Sequence, residues 1–386
     1  MKIKRRSFLQ TSIASTTLFL SGFSLPVLAS TTPKKNLIII SLRGALDGLS
    51  AVPVIGDKNL KQKRPDISMK NNLRLTGDFA LHPSLYELHD LWKDDKASFV
   101  HATSIPYTGR SHFDGQNLME SGGHVPYQEK TGWLGRGMKT ANLIGQGLAL
   151  GLPMPLLLRG AERNDNYFPA KDKMPDPDLL KNLSYLYEDR SEYDLKATID
   201  IIRKREIAEE HIRRQRSPAV LATKAANLIS QPDGPRVAVF EVGGFDTHSA
   251  QAGTDGSLAD SLTKVNEIIR ALRIGLGEEF KNTLILTLTE FGRKVEQNNG
   301  FGTDHGYGSA ILMAGGLLKK SQVYTDWPGL ENKNLFENRD LLSTIDARAV
   351  YASAMSAVFN IEFKQINQKV FKGETLTNLT DKLFTS

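Results

Sequence analysis

The segment LIIISL at residues 37–42, followed by RGALDG at residues 43–48, determines the predicted fold. The same arrangement recurs twice: VAVFEV at 237–242 precedes GGFDTH, and TLILTL at 283–288 precedes TEFGR. Continuous apolar runs of this length are typical of strands buried on both faces, which belong to parallel sheets covered by helices. Each run also ends in a glycine-rich, polar segment that can approach a ligand closely.

Shorter apolar runs and helical periodicity complete the pattern. Two further strands are predicted at residues 97–102 and 310–316. Apolar residues at helical spacing predict helices at 83–93, 111–121, 257–279 and 340–359. Strands that alternate with helices predict an α/β fold, a mainly parallel sheet sandwiched by helices. Residues 150–232, rich in proline at first and then charged, are predicted to form a helical insertion or cap.

The N-terminus has the pattern of a twin-arginine signal peptide over residues 1–29. Arg5 and Arg6 lie in a basic segment, a modest apolar stretch follows, and Ala29 ends a small-residue cleavage pattern. The stretch is shorter than the roughly 20 apolar residues of a stable span. The alternative is an uncleaved anchor. The sequence therefore predicts export by the twin-arginine translocation machinery to the periplasm or medium, no stable membrane span after cleavage, and one domain over 30–386.

Charge and cysteine content exclude several classes of function. The formal charge of +6 includes four positive residues of the signal peptide, so the remaining chain is close to neutral. No arginine-rich patch with interleaved aromatic residues occurs, and we therefore predict no nucleic-acid partner. The chain has no cysteine, which excludes disulfides, thiolate metal sites and cysteine nucleophiles. Any metal must be bound by histidine, aspartate and glutamate.

Polar residues near the ends of the predicted strands form the candidate metal site. Ligands bind at the carboxyl ends of the strands in open parallel sheets, so residues in these segments are expected to converge. Carboxylate and imidazole groups are suitable ligands for a divalent cation such as Zn, Ca, Mg or Mn. The predicted metal ligands are Asp47, Asp246, His248, Glu290, Asp304 and His305.

Several of these residues have a structural alternative. Asp47 fits a turn aspartate, and Asp246 fits a helix cap beside an unrelated His248. Glu290 ends a buried run, where a carboxylate needs a cation or an ion pair, and Arg293 is the candidate partner. Asp304 fits a turn in a glycine-rich loop.

Residues 110–112 form the candidate catalytic group at the start of the helix predicted at 111–121. Free backbone N–H groups and the positive end of the helix dipole favour an anion there. Ser111 is either a nucleophile or only the N-cap, and His112 is a ligand or a base. Arg110 is placed to meet an anionic group of the substrate.

The motifs together resemble one family. The segments that carry the resemblance are LRGALDGL, LHPSL, GRSHFDGQNLMESG, GWLGR, GGFDTH, TEFGR, GTDHG and RDLLSTIDARAVYA. In this order they resemble the domain-of-unknown-function 1501 family over nearly the whole chain after residue 29. The family is itself similar to the alkaline phosphatase/sulfatase superfamily, which implies an alkaline phosphatase-like domain.

The superfamily resemblance implies roles for individual residues. Asp47, Asp246, His248 and His305 match its metal-binding pattern, and Ser111 matches its nucleophile with a slip of one residue. Phe291 stands where the pattern has a histidine. The resemblance thus implies one divalent metal, or a rearranged pair.

Two hypotheses of function follow. The first is a metal-dependent hydrolase of phosphate or sulfate esters, with an anionic ester as substrate. The alternative is a binding or assembly protein of the cell envelope that keeps the scaffold and has lost the chemistry.

Overall fold

The computed structural model describes residues 34–151, 153–167, 217–251 and 256–385. The predicted signal peptide, residues 1–29, lies outside the described residues. So do residues 168–216, the largest part of the predicted insertion.

Five strands of the central sheet match the predicted apolar runs to within two residues at each end. The described strands are β1 (Asn36–Leu42), β2 (Leu73–Arg74), β3 (Ala80–Leu81), β4 (Ala97–Ser104), β5 (Gly147–Leu150), β6 (Asp165–Tyr167), β7 (Val237–Val242), β8 (Thr283–Thr289), β9 (Ser309–Ala314), β10 (Val323–Tyr324) and β11 (Ile345–Asp346). Strands β2 and β3 form a separate antiparallel pair.

Helices connect and cover the strands. The described α-helices are α1 (Gly48–Ala51), α2 (Lys58–Lys63), α3 (Tyr86–Lys93), α4 (His112–Ser121), α5 (Trp133–Thr140), α6 (Pro218–Ile229), α7 (Ser257–Leu276), α8 (Ala347–Phe359), α9 (Phe363–Gln365) and α10 (Thr380–Leu383). Short 3₁₀ segments lie at Pro83–Leu85, Leu156–Leu158, Gly277–Asn282 and Asn332–Asn334, and a π-helical turn spans Ile366–Val370.

The sheet has nine strands in the order β10-β4-β9-β8-β1-β7-β5-β6, with β11 also paired to β4. Strand β9 runs antiparallel to both β4 and β8, and the remaining described pairs of this sheet are parallel. The predicted mainly parallel α/β sheet is confirmed. The direction of β9 has a consequence for the site: its first residue, not its last, lies at the edge where the parallel strands end.

The alternating side chains of β1 show why the apolar runs are continuous. Ile38 and Ile40 pack in the core cluster shared with α6 and α7, while Leu37 and Ile39 pack in the cluster shared with α5 and α8. Because helices cover both faces, neither face can carry polar residues without loss of buried apolar area, which stabilises by about 25 cal/mol per Å².

The start of one helix differs by seven residues from the predicted start. Helix α8 begins at Ala347 instead of Asp340, because the side chain of Asp346 accepts a hydrogen bond from the Arg348 N–H and caps the helix there. Within the predicted insertion, β6 pairs with β5, and α6 packs in the main core. That residues 168–216 form a separate insertion or cap stays a prediction.

Candidate metal centre

Three loops bring imidazole and carboxylate groups together at the carboxyl edge of the sheet. His112 is the first residue of α4, which follows β4. Asp246 and His248 lie in the loop after β7, and His305 lies in the loop that leads into β9. These residues are far apart in sequence, so the topology of the sheet is what brings them together.

The Nε2 atom of His305 lies at the centre of this group. It is 2.9 Å from Nε2 of His112, 3.0 Å from Nε2 of His248 and 3.1 Å from Oδ1 of Asp246. The same Oδ1 atom lies 3.0 Å from Nε2 of His248, and Oδ2 of Asp246 lies 3.4 Å from Nε2 of His112. Ligand atoms of His112, Asp246 and His305 all fall within 4.8 Å of one another. Four side chains thus present donor atoms to one small volume.

Hydrogen bonds on the far side of two rings determine which nitrogen faces this volume. Nδ1 of His112 is 2.9 Å from Oε1 of Glu290, and Nδ1 of His305 is 2.9 Å from the carbonyl oxygen of Arg110. Oδ1 of Asp246 is also an acceptor, 3.1 Å from Nε2 of His305, but both Nδ1 partners are closer and can only accept, which favours the hydrogen on Nδ1 of each neutral ring. The Nε2 lone pairs of His112 and His305 then face each other. Such an arrangement is repulsive until a proton or a cation lies between them.

The donor set fits a divalent cation. Zinc binds imidazole nitrogen at about 2.0 Å, which separates two tetrahedral ligands of one ion by about 3.3 Å. The distances of 2.9 Å, 3.0 Å and 3.4 Å between donor atoms are close to this value. Acceptors behind the rings of metal-binding histidines are a usual feature of such sites, because they orient the ligand.

Glu290 and Phe291 support His112 from behind. Oε1 of Glu290, a fully buried residue, also accepts hydrogen bonds from the Gly44 N–H at 2.9 Å and from Gln116 at 3.1 Å. Phe291 stacks on the His112 ring with centroids 5.0 Å apart. The sequence predicts Glu290 as a metal ligand. In the structure its carboxylate lies behind the imidazole, where its partner is His112 and not Arg293, and its role as a metal ligand stays a prediction.

Asp47, another predicted ligand, is engaged elsewhere. Its carboxylate is buried, and Oδ2 accepts hydrogen bonds from Arg64 at 2.6 Å, from Ser50 at 2.7 Å and from Gln251. Burial alone would raise the pKa of Asp47, but the Arg64 guanidinium outweighs it and lowers the pKa. In this structure the carboxylate is engaged in an ion pair with a buried arginine, and its role as a metal ligand stays a prediction.

Asp304 and His248 form the exposed side of the centre. Oδ1 of Asp304 is 3.6 Å from Nδ1 of His248 and accepts a hydrogen bond from Asn298 at 3.2 Å. Asn298 also donates to the carbonyl oxygen of His248 at 2.9 Å. Asp304 therefore lies on the far side of the His248 ring, where it orients the ring, while His248 presents Nε2 to the centre.

The group predicted at residues 110–112 divides into three roles. His112 supplies a candidate ligand atom. Ser111 is the N-cap residue of α4, and its side chain makes no capping hydrogen bond. The guanidinium of Arg110 is bound to Asp340 at 2.6 Å and to Glu337 at 2.6 Å. Two carboxylates of the protein thus neutralise the charge of Arg110, and a contact with the substrate stays a prediction.

Asp246 is held by Arg293, which the sequence analysis gave as the candidate partner of Glu290. The Nη1 atom of Arg293 donates to Oδ1 of Asp246 at 2.7 Å. The loop after β1 packs closely against the loop that carries Asp246. Gly44 in that first loop has φ +113°, and a side chain at this position would collide with the backbone nitrogen of Asp246. Burial alone would raise the pKa of Asp246, but Arg293 and the neighbouring His305 lower it to about 2.

This low pKa predicts how the stability of the metal-free protein changes in acid. The folded-state pKa of Asp246 lies below its ordinary value of 3.8, so its contribution to stability is present above pH 3.8 and is lost as the pH falls toward 2. Urea unfolding of the wild type and of Asp246→Asn is expected to show a more stable wild type above that window and convergence at its lower end. A constant difference across the window would contradict the assignment.

Sequence reasoning missed the buried residues that support the site. Arg64, Gln251 and Asp340 are each almost fully buried polar residues with partners from distant segments. None follows an apolar strand, so the carboxyl-edge argument could not reach them. The RD pair that begins the motif RDLLSTIDARAVYA was the available signal for Asp340.

Comparison with known proteins is informative at the level of the family. A family model described as "Protein of unknown function (DUF1501)" matches residues 34–368. The chain belongs to this family. The match confirms the resemblance seen in the motifs. No curated protein matches the chain.

Solved structures similar to this DUF1501 member share little sequence with it. One is an inactive form of murine ectonucleotide pyrophosphatase/phosphodiesterase 5 in complex with AMP, with 9% identity, a TM-score of 0.44, and coverage of 91% of this chain and 100% of that chain. Another is the C-terminal periplasmic domain of EcEptC from Escherichia coli, with 8% identity, a TM-score of 0.45, and coverage of 90% of each chain. A sulfatase structure from Bacteroides thetaiotaomicron has 8% identity and a TM-score of 0.44, and the match covers 92% of this chain and 77% of that chain.

None of the helices in the described ranges combines the length and apolar character that crossing a lipid bilayer requires.

Proposed function

We propose that this protein is an exported, metal-dependent hydrolase of phosphate or sulfate esters. The observation that carries the proposal is the convergence of Nε2 atoms of His112, His248 and His305 on the carboxylate of Asp246. This convergence lies at the carboxyl edge of the sheet, where open α/β folds bind their ligands. It also lies at the start of α4, where an anion is favoured.

His112, His248, His305 and Asp246 would hold the metal. Imidazole ligands favour zinc over magnesium or calcium, which prefer oxygen. When bound, such a cation supplies charge that stabilises the developing negative charge on an ester and lowers the pKa of an attacking hydroxyl or water. Glu290 and the Arg110 carbonyl keep the hydrogens of His112 and His305 on Nδ1, so their Nε2 atoms remain available.

Helix α4 supplies groups suited to the substrate anion. The N–H groups of the first turn of an α-helix have no acceptor within the helix, and the helix dipole adds positive potential. His112 lies in this turn, so a tetrahedral phosphate or sulfate bound there would be close to the metal centre.

Ser111 is the proposed nucleophile, with water as the alternative. Its hydroxyl is not used to cap α4, and the residue is only partly buried. Attack on phosphorus or sulfur forms a new bond to the attacking oxygen and breaks the ester bond to the alcohol oxygen. The alcohol leaves with a proton, and in the serine route water then releases the anion from Ser111.

The second candidate function is binding without turnover. Two features favour it: Phe291 is buried where the superfamily pattern has a histidine, and the Asp47 carboxylate forms a buried ion pair with Arg64. A single metal centre can bind an anion without hydrolysing it.

The two candidates differ in one assay. Protein reconstituted with zinc or manganese is incubated with aryl phosphates, aryl phosphodiesters and aryl sulfates, in parallel with Asp246→Asn and Ser111→Ala. Hydrolysis by the wild type that falls by about 100-fold or more in Asp246→Asn supports the hydrolase. Binding of inorganic phosphate or sulfate to the metal-loaded protein without turnover of any ester supports the binding protein. Equal turnover by wild type and Asp246→Asn would contradict a metal-dependent reaction at this site.

Export through the twin-arginine translocation machinery belongs to the same proposal. The basic and apolar pattern of residues 1–29 supports it. A protein that must acquire a metal before export has a physical reason to use a route for folded chains. The test of export replaces Arg5 and Arg6 by lysine and measures the amount of the protein in the periplasmic fraction.

A further inference from the structure

His305 is held from outside the metal centre at two separate points. Its ring Nδ1 donates to the carbonyl oxygen of Arg110 at 2.9 Å, and its own carbonyl oxygen accepts from Nη1 of Arg339 at 2.9 Å. Ring and main chain are thus each fixed by an arginine. The two arginines come from different segments, the loop before α4 and the loop before β11.

One buried carboxylate joins these two arginines. Asp340 is 0% exposed, and its Oδ2 atom accepts from Arg110 at 2.6 Å and 3.1 Å. Its Oδ1 atom accepts from Nη1 of Arg339 at 2.7 Å. The main chain of Asp340 is itself fixed, because it exchanges two 2.9 Å hydrogen bonds with Phe336. Asp340 therefore has both the charge and the rigidity needed to position both arginines.

The backbone of Arg110 shows why this connection matters. Its φ is +56°, in the left-handed region that residues with a side chain rarely adopt. This conformation must be stabilised by surrounding contacts, and the bonds of the guanidinium to Asp340 and Glu337 supply them. The peptide carbonyl that accepts from His305 belongs to this same residue.

We propose that Asp340 is a positioning residue that holds His305 in its Nδ1–H tautomer, acting through Arg110 and Arg339. Without the Asp340 carboxylate, Arg339 would lose its carboxylate partner, and Arg110 would keep only its bond to Glu337, a side chain that is 55% exposed. The carbonyl of Arg110 would then turn away, and His305 could carry its hydrogen on Nε2. A metal role for His305 rests on the proposed function, whereas its tautomer is a property of the metal-free chain.

The test is nitrogen-15 NMR of the histidine side chains in metal-free protein at a pH where the rings are neutral. In the wild type, His305 and His112 are both expected as Nδ1–H tautomers. In Asp340→Asn, His305 is expected to become a mixture, while His112, which donates to Glu290, stays unchanged. Glu337→Gln is the matched control, because Glu337 is 55% exposed and pairs with Arg110 while leaving the bond between Asp340 and Arg339 in place.

Zinc affinity gives a second readout. Loss of a residue that orients a metal ligand typically lowers affinity by about 10- to 100-fold, and Asp340→Asn is expected in that range. Should Asp340→Asn not fold, Arg110→Ala decides, because it keeps the carbonyl but removes the guanidinium, and it is expected to give the same mixture. A folded Asp340→Asn or Arg110→Ala with His305 wholly in the Nδ1–H form overturns the inference. A wild type that binds no metal overturns the proposed function and leaves the tautomer result standing.

Discussion

Replacing His305 with alanine is expected to abolish stoichiometric binding of zinc. Its Nε2 atom is the one donor that lies within 3.1 Å of His112, His248 and Asp246 alike. Removing it leaves two imidazoles that meet only through the Asp246 carboxylate, 3.0 Å from His248 and 3.4 Å from His112. The affinity is expected to fall by more than the roughly 10- to 100-fold that loss of an orienting residue costs. Isothermal titration of metal-free protein with zinc, together with elemental analysis of dialysed samples, measures the change.

His89→Ala is the matched control for this experiment. His89 lies on α3, and its Nε2 atom contacts the carbonyl oxygen of Arg74, at 3.1 Å. Its removal takes one imidazole from the protein without touching the centre, so zinc binding is expected to stay at the wild-type level. If His305→Ala bound zinc as tightly as His89→Ala, the metal would lie elsewhere.

The strands of the sheet could be predicted from the sequence because burial on both faces requires continuous apolar runs. Strands β1, β7 and β8 are continuous apolar runs, and their bounds differ from prediction by at most one residue at an end. The direction of β9 left no such signal, because an apolar run is the same in either direction. The start of α8 was missed for a related reason: helical spacing continues through residues 340–346, and only the cap at Asp346 ends that ambiguity.

The candidate site was predictable to the extent that it depends on strand ends. His112, Asp246, His248 and His305 follow from that rule together with the helix start. Asp47 and Glu290 obey the same rule and yet have other partners, because a buried carboxylate pairs with whichever hydrogen-bond donors or cation reach it. For Asp47 that cation is Arg64, which directly follows the short helix α2 and has no motif to reveal it.

The ion pair of Asp47 and Arg64 predicts a large effect on stability. Both side chains are 1% exposed, and Arg64 also donates to the carbonyl oxygens of Val295 at 2.7 Å and Lys294 at 2.8 Å. Arg64→Met would leave a buried carboxylate without its counter-charge, a change that typically costs about 3–5 kcal/mol. Chemical denaturation is expected to show a loss of that size. Lys93→Met, which breaks an exposed pair with Asp90, is expected to change stability by less than about 1 kcal/mol.

A double variant separates the ion pair from a metal role for Asp47. In Asp47→Asn/Arg64→Met neither charge is left alone, so the protein is expected to recover part of the stability that Arg64→Met loses. Zinc binding by the folded double variant is expected to remain, because none of the four converging donors is removed. Loss of zinc in a stably folded Asp47→Asn protein would instead return Asp47 to the metal centre. Since the carboxylate has one buried oxygen with no hydrogen-bond partner among the described residues, this variant is the most direct test of what that oxygen does.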